Sequence, residues 1–185
     1  MASIYGVEVK NVKPFLDHEG LTIFRGSIYM DGKRIGTWCD NYMAGNSDFD
    51  VPEKEYKELV SRADKFYDFL LWEDGSGELF DAEPFKGDPD ILISTLVKLR
   101  EQEDSFKKCL KNGYKSMIVI SGPYGQYDYW YLPTACASDE WKIKYKDQIE
   151  QSEKAYPAWH KAKEKYITNP DDFVIATMTE KKLVW

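Results

Sequence analysis

Histidine is nearly absent: 185 residues carry only His18 and His160. A histidine-based triad or metal centre would have to start from one of them, and neither has a partner at metal-ligand spacing. Cysteine is scarce too. Cys39, Cys109 and Cys136 are odd in number and form no C-x-x-C, which removes zinc knuckles and thioredoxin-like chemistry and reads as reduced thiols of a cytosol. The longest apolar runs, Met117 to Ile120 among them, are far short of a membrane span. The chain does not open on a basic stretch followed by an apolar one, so no signal peptide and a cytoplasmic, membrane-free protein are expected. Gly122 and Gly125 frame a loop without the lysine and hydroxyl residue of a P-loop. Ser76, in Gly75-Ser76-Gly77, is not a nucleophile elbow. No catalytic residue, metal or cofactor is therefore expected.

Neither a repeat nor a linker long enough to divide the chain is present, so residues 1–185 read as one domain. Hydrophobic residues make up 43% and charged residues 31%, which is globular chemistry. Aromatics reach 15%, enough to serve interfaces as well as a core.

Ile4 to Val12, Leu21 to Met30 and Lys33 to Cys39 read as strands. Asp31-Gly32 lies between the last two, the dipeptide that a type I′ turn selects. Pro52 to Leu71 carries an apolar stripe through Tyr56, Leu59, Ala63, Phe66 and Leu70 and predicts a helix. A second helix is predicted over Pro89 to Lys111, capped by Asp88 and closed by Gly113. Tyr114 to Ile120 and Tyr127 to Leu132 read as a hairpin. Asp139 to Tyr166 reads as a long helix that bends or breaks at Pro157, and Phe173 to Met178 as a final strand. The expected class is α+β, with an N-terminal antiparallel meander, in the order βββ-αα-ββ-α-β.

Charge is distributed unevenly. Residues 1–90 hold 19 acids and 10 bases, whereas residues 91–185 hold 13 acids and 15 bases. Glu73, Asp74, Glu78, Asp81, Glu83, Asp88 and Asp90 stand against Lys86 alone. A second acidic stretch runs from Asp40 through Asp48, Asp50, Glu53 and Glu55 to Glu58. Such runs commonly form a solvated face. They also suit a surface that imitates a phosphate backbone and is steered into a basic channel. Residues 139–166 are the opposite case. Their lysines interleave with Trp141, Tyr145, Tyr156 and Trp159 in a pattern that fits contact with RNA or DNA, although the apolar stripe also suits a core-facing helix.

The segment from Gly20 through Ile28-Tyr29-Met30-Asp31-Gly32-Lys33-Arg34-Ile35-Gly36 to Ala44-Gly45-Asn46 resembles the opening of small proteins of phages and conjugative elements. Those proteins show a strand, an (I/L)-Y-x-D-G-K-x-(I/V)-G hairpin and a loop rich in Gly, Asn and Asp. Some of them are anti-CRISPR or antirestriction factors. The resemblance covers residues 1–50 and carries over no catalytic residue. It implies an inhibitor that binds a host nucleoprotein enzyme, such as a Cas9-like effector. Glu73, Asp74, Glu78, Asp81, Glu83, Asp88 and Asp90 are the expected partner-binding residues, and guide RNA or DNA is a further contact for residues 139–166. The alternative is a small metal-dependent nuclease or other nucleic-acid-processing enzyme; a nuclease of this kind needs clustered carboxylates and a lysine. Asp128 and the triplet Glu140-Trp141-Lys142 supply its candidates.

Overall fold

The computed structural model describes residues 1–16, 18–20, 22–40, 47–68, 70–73, 79–81, 85–121, 127–132, 163–167, 174–175 and 183–184. The fold is α+β. Within the span read as one domain, the chain packs into two compact units. Residues Met1–Trp72, Phe80–Arg100 and Phe173–Trp185 form the first; Glu73–Leu79 and Glu101–Asp172 form the second. No helix among the described residues is long and apolar enough to cross a membrane.

In the first unit, β1 (Ser3–Ile4) turns directly into β2 (Val7–Leu16). The run expected as one strand from Ile4 is thus two. Tyr5 and Gly6, at φ 48° and 73°, make the turn, and Ile4 pairs with Val7. The second turn is the expected one: Asp31 and Gly32, at φ 48° and 79°, join β3 (Thr22–Met30) to β4 (Lys33–Cys39). Positive φ at two successive positions is the type I′ signature. β2 also carries a bulge. Lys10 pairs with Ser27 and Lys13 with Arg25, so Asn11, at φ 56°, and Val12 together oppose Gly26. The extra residue keeps Lys13 on the same face as Lys10.

β5 (Asp48–Asp50) pairs with β4 and leads into α1 (Glu53–Tyr67). Pro52 precedes the helix, and Glu53 and Glu55 occupy its first turn, where acids complement the helix dipole. The predicted stripe buries Leu59, Ala63, Phe66 and Tyr67. Complete burial of a residue such as Leu59 or Phe66 is worth about 1.5–3 kcal/mol. Leu70 and Leu71, expected at the end of that helix, lie instead in β6 (Leu70–Glu73), next to β7 (Leu79–Asp81). Two short C-terminal strands complete the unit. β11 (Val174–Ile175), within the predicted final strand, runs parallel to β1, and β12 (Leu183–Val184) runs parallel to β6. The large sheet has the order β11-β1-β2-β3-β4-β5; the small one is β12-β6-β7.

α2 (Asp90–Lys111) matches the second predicted helix. The Asp88 carboxylate accepts from the Asp90 amide at 3.0 Å. At the other end Gly113, at φ 84°, closes a Schellman motif, with the Tyr114 amide donating to Cys109 O and the Gly113 amide to Leu110 O, each at 3.1 Å. In the second unit, β8 (Ser116–Ser121) and β9 (Tyr127–Leu132) form the expected hairpin, in unbroken register from Ser116↔Leu132 to Ser121↔Tyr127. The other edge of β8 takes β10 (Lys163–Ile167). The long helix expected over 139–166 is therefore corrected at its end: residues 163–166 are extended. Its remainder, residues 139–162, lies outside the described residues. Apolar residues along β8 suit a central strand, and pairing on both edges satisfies its backbone.

Candidate interaction surface

Of the seven expected partner-binding residues, Asp74, Glu78 and Glu83 lie outside the described residues. Glu73 ends β6 and Asp81 ends β7. Asp88 and Asp90 sit at the start of α2, where both have local work: Asp88 caps the helix, and Asp90 accepts from the Ser47 amide through both carboxylate oxygens, at 3.2 and 3.0 Å.

That last contact joins the two acidic stretches, which are 43 residues apart along the chain. Electrostatics registers the juxtaposition. Partial burial, and then the Asp90 carboxylate, hold Asp40 above the ordinary carboxylate range. The Tyr56 phenol is pushed up by burial, then by Asp88 and Asp90. Asp40, Asp88 and Asp90 thus share one negative field at the head of α2. The sequence lists both stretches, but a backbone amide at Ser47 carries no signal of their meeting.

Tyr67 anchors this region from α1. Its hydroxyl donates to Asp88 O at 2.5 Å and accepts from the Leu92 amide at 3.3 Å. Burial raises the phenol further than the Leu92 N–H lowers it. Tyr67→Phe leaves a half-buried carbonyl and a buried amide without this partner and is expected to cost about 1–3 kcal/mol, measured as a lower urea midpoint. The sign with pH follows from the raised phenol. Its contribution is whole below the unfolded value near 10 and disappears as pH climbs through the folded value. The wild-type advantage over Tyr67→Phe should therefore shrink only in strong alkali.

Of the candidates for nuclease chemistry, Asp128 lies on β9 opposite Ile120, while Glu140, Lys142 and His160 fall outside the described residues. His18 is exposed beside Glu19, at 3.8 Å. Among the described residues no group of three or more His, Cys, Asp or Glu side chains is placed to hold a metal.

Arg62, which drew no attention in the sequence, ties α1 to the large sheet through a set of hydrogen bonds. Its guanidinium donates to Tyr5 O at 2.8 Å, to Asp31 Oδ1 at 2.9 Å and Oδ2 at 2.6 Å, and to Glu58 Oε1 at 3.0 Å. It gathers both type I′ turns onto α1. The other feature that sequence reasoning missed is a groove of about 670 Å³ on the outer face of the large sheet, with Lys13, Arg25, Ser27, Thr37 and Asp48 among its lining. The period-2 pattern marks that face as solvent-facing, but the bulge at Asn11 decides which basic residues share it. No family model, no curated protein and no solved structure matches the chain.

Proposed function

We propose that this chain is a phage or mobile-element inhibitor that binds a host nucleic-acid-handling defence enzyme, with a Cas9-like effector as the specific candidate. It acts by occupancy, setting an acidic surface into a basic nucleic-acid channel. The observation that carries the reading is the meeting of the two acidic stretches at the Ser47–Asp90 contact. Like charges held this close oppose folding, and a basic partner offsets that cost. Asp40, raised first by burial and then by the Asp90 carboxylate, carries part of that cost.

Asp88 and Asp90 are poor test positions because Asp88 caps α2 and Asp90 holds the Ser47 amide. The test reverses Asp74, Glu78, Asp81 and Glu83 to lysine and measures binding to the effector with and without guide RNA. Association should fall at least tenfold, about 1.4 kcal/mol or more, with the melting temperature nearly unchanged. Wild-type binding should also weaken steeply with salt, because exposed charges are screened over about 8–10 Å at ordinary ionic strength. Equal binding by the reversed variant, or a salt-independent complex, sinks the proposal. His18→Ala, Asp128→Ala and Glu140→Ala should leave inhibition intact. A metal-dependent loss of a hundredfold or so in any of these, with the fold preserved, transfers the argument to the nuclease reading.

A further inference from the structure

Two rows of side chains cross the outer face of the large sheet. Strand register sets Lys10, Ser27, Thr37 and Asp50 in one row, and Lys13, Arg25, Cys39 and Asp48 in the next. Each row begins basic on β2 and ends acidic on β5. Lys13 and Arg25 stand directly across from each other, both exposed, and no carboxylate among the described residues forms an ion pair with either. Directly opposed like charges destabilise a strand pair, and an anion laid across them removes that penalty. Arg25 also lies over the Phe15 ring, 5.2 Å from its centroid, so the cationic end has an aromatic wall. Both residues line the groove of about 670 Å³, a volume in the range of small-molecule sites.

The two ends differ in chemistry as well as charge. At the basic end a guanidinium and an ammonium suit a phosphate. At the other, Asp48 and Asp50 lie two strands away from Arg25, about 9–10 Å at ordinary strand spacing, and accept from N–H or O–H donors. Ser27 and Thr37 supply hydroxyls between. An α-amino acid has both charges but is too short to reach from one end to the other. Inorganic phosphate has no donor end. A nucleotide offers, in order, a phosphate, a neutral body, and hydroxyl and amino donors.

We propose that this groove binds a nucleotide, with its phosphate on the Lys13–Arg25 pair and its ribose hydroxyls or base amino group on Asp48 and Asp50. The same chemistry belongs to a free nucleotide and to the terminal nucleotide of a strand. This site goes beyond the acidic surface proposed above, and its test needs neither the defence enzyme nor the residues reversed there.

Titration calorimetry of the whole chain would compare adenosine 5′-monophosphate, a 5′-phosphorylated hexanucleotide and inorganic phosphate. The nucleotide probes should bind more tightly than phosphate. Lys13→Glu with Arg25→Glu should weaken them about tenfold or more, whereas Lys33→Glu with Arg34→Glu, at the far β3–β4 turn, should not. Lys13→Glu alone converts the like pair into an ion pair with Arg25 and guards against loss of the fold; it too should weaken binding. Saturating nucleotide should slow alkylation of Cys39, read by peptide mass. Tight binding of the mononucleotide assigns the site to free nucleotides, and a clear preference for the hexanucleotide assigns it to strand ends. Phosphate binding as tightly as either probe, equal damage from the Lys33/Arg34 variant, or no binding of either nucleotide at millimolar concentration overturns the proposal.

Discussion

Gly36→Val should be the most damaging single change in the large sheet, costing about 3 kcal/mol or more. A Cβ built on Gly36 falls onto the Asp50 carbonyl oxygen and 2.7 Å from Val51 Cγ2. The carbonyl is backbone and has no rotamer by which to withdraw. β4 and β5 must separate, and three pairs go with them: Thr37↔Asp50, Trp38↔Phe49 and Cys39↔Asp48. Phe49 would also leave its edge-on contact with Tyr56, now at 5.7 Å between centroids. Gly32→Ala is the matched comparison. No heavy atom lies within 4 Å of the Cβ there, and only the φ of 79° resists. That strain amounts to about 1–2 kcal/mol. Chemical denaturation should rank Gly36→Val well below Gly32→Ala; equal midpoints would mean that β5 is not held against Gly36.

Arg62→Ala follows in size, on the order of 2 kcal/mol. The substitution removes the donor to the Tyr5 carbonyl and leaves Tyr5 at positive φ, an uncommon conformation for a bulky residue, with no side chain to hold it. The Arg62 side chain is only 16% exposed, whereas Asp31 is 68% exposed. The loss should therefore come mainly from the carbonyl contact and the buried stem, since an exposed ion pair contributes little. A pH series separates the two. The side-chain hydrogen bonds from Arg62 hold Asp31 below its ordinary value. Its share of stability is complete above the unfolded value near 3.9 and is lost as pH falls through the folded value. The gap between wild type and Arg62→Ala should narrow slightly below pH 4 but not close. A gap that vanishes in acid would assign the whole effect to the ion pair.

The two turns of the large sheet that Arg62 holds show where the sequence was legible. Asp31-Gly32 announces its turn because no other short dipeptide suits two positive φ values so well. Tyr5-Gly6 makes the same turn without announcing it, because Tyr5 is held by Arg62, a residue 57 positions later. The two helices were readable from period and caps, and α2 begins and ends at the groups that predicted it. Leu70 and Leu71 continue the apolar stripe of α1, so the local pattern favours helix. Parallel pairing with Leu183 and Val184 overrides it. Residues 163–166 show the same conflict, resolved by the free edge of β8. The candidate surface divides likewise. Its acids were visible as composition, but the contact that joins the two stretches runs through a main-chain amide, which has no residue type to read.

β1 has one further consequence, for the order in which the protein is made. Its neighbour β11 lies about 170 residues downstream, and the two pair in parallel through Ser3↔Val174 and Ile4↔Ile175. β6 has to await Leu183 and Val184 in the same way. At roughly 5–20 residues per second, the ribosome needs on the order of ten to thirty seconds to supply these partners. Through that interval β1 has one edge covered by β2 and the other still without β11. An open edge is a template for the wrong chain, and non-local pairing of this kind is slow to form. The growing polypeptide thus passes through a window in which chaperone capture competes with aggregation, and for β1 it closes only once β11 has left the exit tunnel.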